Sequence, residues 1–160
     1  LGDFEWFDKN KDKDFKVICS VAEPKTKKEL VERALKRNLN FFNAIHPDTT
    51  ISNSVNIGRG VIINAGSIIA ADVELSDYTI VNFNSTVGHD VKLNKFSSVM
   101  PGVNLAGYVN LGEGSYIGMN SSIIQNVFVG KYSTVGAGAV VVDDIPDNVT
   151  AIGIPAQVKK

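Results

Sequence analysis

Several residue types are scarce in this chain of 160 residues, and each scarcity removes a class of protein. There is one cysteine, Cys19, so no internal disulfide can form and no cysteine-based zinc spacing exists. That suits a reducing cytoplasm. There are two histidines, His46 and His89, 43 positions apart. A catalytic zinc site of the three-histidine kind is therefore excluded, and with it a carbonic anhydrase built on one; no metal is expected. Net charge is −1, from 16 Lys+Arg against 17 Asp+Glu, so a polyanion such as nucleic acid meets no general basic attraction. No apolar run approaches the roughly 20 residues of a membrane span, and no signal peptide is visible. The first residue is Leu1 rather than Met, which leaves open a segment upstream of it.

What the chain has in abundance is a period. From Ile45 through Ile51, Ile57, Ile63, Ile69 and Leu75 to Val135 and Val141, an aliphatic residue returns at every sixth position, seventeen times in succession. Two places before each sits a smaller column, Val55, Val61, Ser67, Val73, Thr79 and onward to Ala139, broken only by Asn43 at its start. A helix needs apolar residues at three and four, and a half-buried strand at two, so neither explains six. A short strand plus a corner, stacked many times, does. Three such sides close a triangular coil of 18 residues, and the register predicts between five and six coils without an inserted loop. Gly58, Gly88, Gly112, Gly118, Gly130 and Gly136 each follow an aliphatic position, where the corner is expected to demand φ > 0.

Residues 1–44 stand outside the repeat. Leu1–Phe7 is aromatic and apolar, Lys9–Asp14 is a charged turn, and Phe15–Val21 reads as a short buried strand ended by Pro24. Thr26 and Glu29 make a capping-box pattern ahead of an amphipathic helix through Leu30, Val31, Ala34, Leu35 and Leu39, closing near Asn38. A second strand is expected around Asn40–Ala44, which completes a βαβ unit. Such a unit buries too little alone and is expected to pack on the solenoid or on an upstream partner. After Val142 the period fades, and residues 143–160 are placed to cover the open end of the coils.

Candidate chemistry gathers at His89. It lies two places past an aliphatic position, at an outward corner, and Gly107 falls one full coil later beside it. A missing side chain next to an imidazole leaves room for a ligand, and a glycine N–H can hold a developing oxyanion. His46, before Pro47 at the junction, is expected to be structural.

Further motifs accompany these two positions: Ile45-His46-Pro47, Val81-Asn82 ahead of His89-Asp90, Pro101 through Gly107, Val135 through Val141, and Gly153-Ile154-Pro155-Ala156. With them, nearly the whole chain resembles the hexapeptide-repeat acyltransferases of left-handed parallel β-helix fold, in particular the sialic acid O-acetyltransferase and bacterial sugar N-acetyltransferase family. The resemblance implies direct transfer of an acetyl group from acetyl-CoA to a hydroxyl or amine of a sugar or nucleotide-sugar, in surface-glycan biosynthesis, by a homotrimer with sites between neighbouring β-helices. It implies His89 as general base, Asp90 as the acidic residue that orients it, and Gly107 as the thioester-facing N–H. Asp72, one coil before Asp90, is the substitute for it, because neighbours in an extended segment point to opposite sides. Gly118, Met119, Gly136 and Ala137, with Pro155 of the tail, match the CoA track, and Asn82 matches a position near the acceptor.

Two features depart from that family. Ser98 stands where some members carry a second histidine. Residues 1–44 match only the second half of the Rossmann-like domain with which members open, and lack its Gly-Gly-His stretch. The competing expectation is a non-catalytic β-helix scaffold.

Overall fold

In the computed structural model, which describes residues 3–10 and 13–159, the period of six becomes a left-handed parallel β-helix of about six coils. Each hexad contributes one two-residue strand, and each strand pairs in parallel with the one 18 residues later, as Ala44–Ile45 does with Ile62–Ile63. Three faces result. The first holds strands from Ala44–Ile45 through Ile80–Val81 to Thr134–Val135, the second those from Thr50–Ile51 through Thr86–Val87 to Val140–Val141, and the third those from Asn56–Ile57 to Phe128–Val129. The second residue of each strand points inward, so Ile63, Val81, Leu93, Val99, Leu111 and Ile117 are wholly buried. Each contributes about 1.5–3 kcal/mol through burial. The small column fits beside them: Ser67, Ser85, Ser121 and Ser133 are also fully buried. Their hydroxyls donate to corner carbonyls, as Ser67 does to Asn82 and Ser121 to Gly118.

The corner conformation differs from the one expected. From Ile57 to Val135 positive φ falls three positions past each aliphatic residue, not one, and is occupied by Gly60, Gly66, Asp72, Tyr78, Asn84, Asp90, Phe96 and their successors. The glycines directly after the aliphatic column serve another purpose. A Cβ on Gly112 would lie 2.7 Å from the backbone nitrogen of Lys131, and one on Gly88 would lie 2.8 Å from that of Gly107. Adjacent coils come too close there for any side chain.

Outside the repeat, α1 (Phe4–Asp8) is capped by Asp3, and β1 (Lys16–Val17) leads into α2 (Pro24–Leu35) and β2 (Asn40–Phe41). β1 and β2 pair in parallel, so the strand–helix–strand unit forms, with far shorter strands than its apolar run implied. Leu1, Gly2, Lys11 and Asp12 lie outside the described residues. The capping box does not form. Pro24 takes the first helical position, which its fixed φ suits, and the Glu23 carboxylate accepts from the N–H groups of Lys25 and Thr26. Those bonds, the Thr26 ones foremost, hold Glu23 below the usual carboxylate range. At the other end Asn38 adopts φ 57°, closing the helix.

α2 lies against the first face and the edge beside it. Its Val31 packs with Tyr78 and Phe96 from the positive-φ column, whose rings stack at 5.3 Å. Lys28 bonds Glu113 and Tyr132, and Lys27 is fully buried, donating to the Ser97 carbonyl and the Ser98 hydroxyl.

Burial pushes the Lys27 ammonium down to about 7, against the opposing pull of Cys19 and Glu23. Its folded pKa is therefore below its unfolded value, and the unfolded chain holds the extra proton between about 7 and 10.5. Wild-type stability is expected to rise across that window relative to Lys27→Met, which carries no such proton. Melting temperatures of the pair from pH 7 to 10 check this, and a constant difference would show that folding leaves the proton affinity of Lys27 unchanged.

The tail builds a last partial coil. Ile145 bridges to Val129 on the third face, and Thr150–Ile152 pairs with Thr134–Val135 on the first. The segment 153–156 then turns across to the second face, where Val140 N–H donates to the Gly153 carbonyl and Ala156 N–H to the Val140 carbonyl. Ala151 and Ala156 seal the interior. No helix among the described residues is long and apolar enough to cross a membrane.

Candidate active site

Two edges of the prism carry the candidate residues. On the edge between the second and third faces, strand Thr86–Val87 ends at Gly88, whose bare backbone lies against Ala106 and Gly107. His89 follows and projects outward, with 57% of its side chain exposed. Asp90 then takes φ 57°, a conformation aspartate tolerates better than most residues. Its backbone N–H is anchored on the Ala71 carbonyl of the preceding coil. The left-handed turn brings Oδ2 to 2.9 Å from His89 Nδ1. The rule that neighbours point apart does not hold here, because the segment is not extended at residue 90. Asp72 makes no hydrogen bond to His89 among the described residues.

A carboxylate at Nδ1 keeps the proton on that nitrogen and leaves Nε2 with its lone pair bare. Nε2 lies over Gly107: a Cβ there would be 2.7 Å away. The Gly107 N–H is taken by no backbone carbonyl among the described residues. Tyr108 completes this edge. Its N–H donates to the His89 carbonyl at 3.0 Å, and its ring meets the imidazole edge-on at 5.1 Å. Sequence reading passed over Tyr108. The available signal was its position one coil after Asp90, in the column that holds the positive-φ residues.

The other edge, between the first and second faces, holds Asn82, then two coils on Gly118 and Met119, and one coil further Gly136 and Ala137, and the tail crosses it at Ile152–Pro155. Met119 is 51% exposed and Ile154 75%. Gly118 is forced by close coils, since a Cβ would be 2.6 Å from Ala137 N, whereas at Gly136 it would meet only the Ile152 side chain. In a single chain, then, His89, Asp90 and Gly107 come together, and so do the residues of the second group. The width of one prism face separates the two sets.

Ser98 belongs to neither set. It is buried on the first face, accepting from Lys27 and donating to the Ala22 carbonyl, so it holds α2 and has no access to His89. His46 accepts the Asp48 N–H at Nδ1, which fixes the turn at the junction.

No protein-family model and no curated protein matches the sequence. Solved structures do. A perosamine N-acetyltransferase from Caulobacter crescentus, bearing a histidine-to-asparagine substitution and bound to CoA and GDP-perosamine, is 34% identical with a TM-score of 0.95. The match covers 99% of this chain and 75% of that one. The present chain belongs to the hexapeptide-repeat sugar acetyltransferases. The acetyltransferase domain of PglB from Neisseria gonorrhoeae, in complex with acetyl coenzyme A, is 37% identical over 91% of this chain and 71% of that one, at a TM-score of 0.87. WeeI from Acinetobacter baumannii is 25% identical over 90% and 70%, at 0.86. In this sugar acetyltransferase the imidazole of His89 and the bare backbone of Gly107 share one edge, and the exposed apolar side chains of Met119 and Ile154 lie on another.

Proposed function

We propose that this sugar acetyltransferase moves an acetyl group from acetyl-CoA directly to the amino group of a nucleotide-linked amino sugar in surface-glycan biosynthesis, with His89 as general base. The observation that carries the reading is the placement of His89 Nε2 over Gly107, with Nδ1 tied to Asp90. The neutral amine attacks the thioester carbonyl carbon while Nε2 takes its proton. The carbonyl oxygen becomes an oxyanion, which the Gly107 N–H holds. Collapse breaks the carbon–sulfur bond, and the proton returns from Nε2 to the departing CoA sulfur. Asp90 steadies the imidazolium in between. An amine, rather than a hydroxyl, is favoured because the acetyltransferase neighbour with GDP-perosamine bound is an N-acetyltransferase.

The apolar edge of Met119, Ala137, Ile152 and Pro155, all exposed, suits the arm of CoA. Because this edge and the His89 edge lie on opposite sides of the second face, one substrate touching both requires a neighbouring copy. The second face and its two bounding edges are suited to that contact, carrying exposed Ile68 on the face and Phe83, Tyr108, Ile124 and Val142 along the edges. A cyclic homotrimer would set the donor edge of one chain against the His89 edge of the next. In this arrangement residues 45–142 carry the transfer chemistry. Residues 1–44 face the acceptor, and 143–160 close the coil end and the donor track. The bacterial cytoplasm, where acetyl-CoA is made, is the matching compartment.

The test is thiol release from acetyl-CoA with GDP-perosamine and UDP-linked amino sugars, alongside calorimetry with CoA and the solution mass. Acceptor-dependent release by a trimer is expected. Absence of CoA binding heat would leave a scaffold instead.

A further inference from the structure

The family resemblance puts Asn82 near the acceptor, and its side-chain amide is held in one orientation by a residue so far without a role. Its Oδ1 accepts two N–H groups: the backbone N–H of Phe83 at 3.0 Å and Nδ2 of Asn64, one coil earlier, at 2.9 Å. A backbone N–H cannot reverse its polarity, so the atom facing it must be the oxygen and the Asn82 Nδ2 must lie on the other side. The Asn82 backbone is pinned as well, its carbonyl accepting from Ser67 Oγ at 2.9 Å. Among the described residues Nδ2 of Asn82 has no acceptor. Both partners of its oxygen are therefore supplied from within the edge, and only hydrogen-bond donors are offered outward.

That polarity constrains what Asn82 contacts. The reacting amine has one lone pair, which must go to the thioester carbon, so a donor aimed at it would oppose attack. The donor instead suits an oxygen of the acceptor, a ring hydroxyl or a phosphate oxygen. We propose that Asn64 is a positioning residue that locks the Asn82 amide with its N–H2 outward, selecting acceptors that carry an oxygen at that point. This rests on the sugar-acetyltransferase reading of the site and on Asn82 touching the acceptor. Without Asn64, one lone pair of Oδ1 loses its protein partner and the amide is held at a single point.

The experiment is a double-substitution cycle on the full chain with Asn64→Ala, Asn82→Ala and the pair. It uses acetyl-CoA and whichever of GDP-perosamine or UDP-linked amino sugars the wild type turns over fastest. Expected are an acceptor KM raised about fivefold by N64A and about tenfold by N82A, with the pair no worse than N82A. The KM for acetyl-CoA should stay within about twofold of wild type, and the melting temperature of N64A close to it. Effects of the two substitutions that multiply, or an N64A acceptor KM equal to wild type, overturn the proposal while leaving the reaction intact. A wild type that releases no thiol with any of these acceptors overturns the reading of the site and this inference with it.

Discussion

Replacing His89 with alanine is expected to lower turnover by about 10²- to 10⁴-fold, the usual contribution of a positioned general base. Folding should be untouched, with a melting temperature within about 2 °C of wild type, because the side chain is more than half exposed and its one side-chain hydrogen bond among the described residues is to neighbouring Asp90. The acetyl-CoA KM should change little, since the donor edge lies elsewhere. Turnover by H89A at the wild-type rate would remove His89 from the chemistry altogether, and Asp90 and Gly107 would lose their argued roles with it.

Gly107→Ala is the second large effect, expected at about 10²-fold in kcat with little loss of stability. The added methyl would sit 2.7 Å from His89 Nε2 and 2.8 Å from Cε1. Both atoms are at the free end of an exposed side chain, so the ring can swing away and folding survives. The swing costs the Asp90 contact and puts a methyl where the thioester must lie. Gly88→Ala is the control that separates stability from chemistry. There the methyl would meet the backbone of Leu105, Ala106 and Gly107 at 2.8–2.9 Å, and backbone cannot step aside. G88A should therefore lose about 1–3 kcal/mol in chemical denaturation. If G107A keeps full activity, the bare backbone beside the imidazole has no part in transfer.

How much of this was visible in the amino-acid order depends on whether a feature is carried by periodicity or by direction. The solenoid, its three faces and the 18-residue step from His89 to Gly107 follow from counting, because each hexad repeats one geometry. Directions within a corner do not. The positive-φ position is filled by glycine, asparagine, aspartate and aromatic rings alike, so no single residue type marks it, and the turning of Asp90 toward His89 was hidden for that reason. Asn64 escaped notice because an asparagine near a corner looks the same whether it faces solvent or bonds the coil above. The true cap of α2 was missed because Thr26 fits a familiar pattern, while Glu23 gains its two N–H partners only through the turn that Pro24 enforces. Ser98 could not be assigned to a face under a helix until α2 was seen to cover that face.

Since every coil closes in three equal steps, the chain tolerates changes of length only in certain quanta. Removing one hexad between residues 90 and 118 would rotate everything beyond it by a third of a turn, carrying Met119 and Ala137 from their own edge to a different one. Removing or duplicating a whole turn would leave each edge straight and only change the height between the base and the donor track. Growth and shrinkage of this molecule are thus governed by phase, and a lineage that lengthens its donor groove has to do so a full revolution at a time.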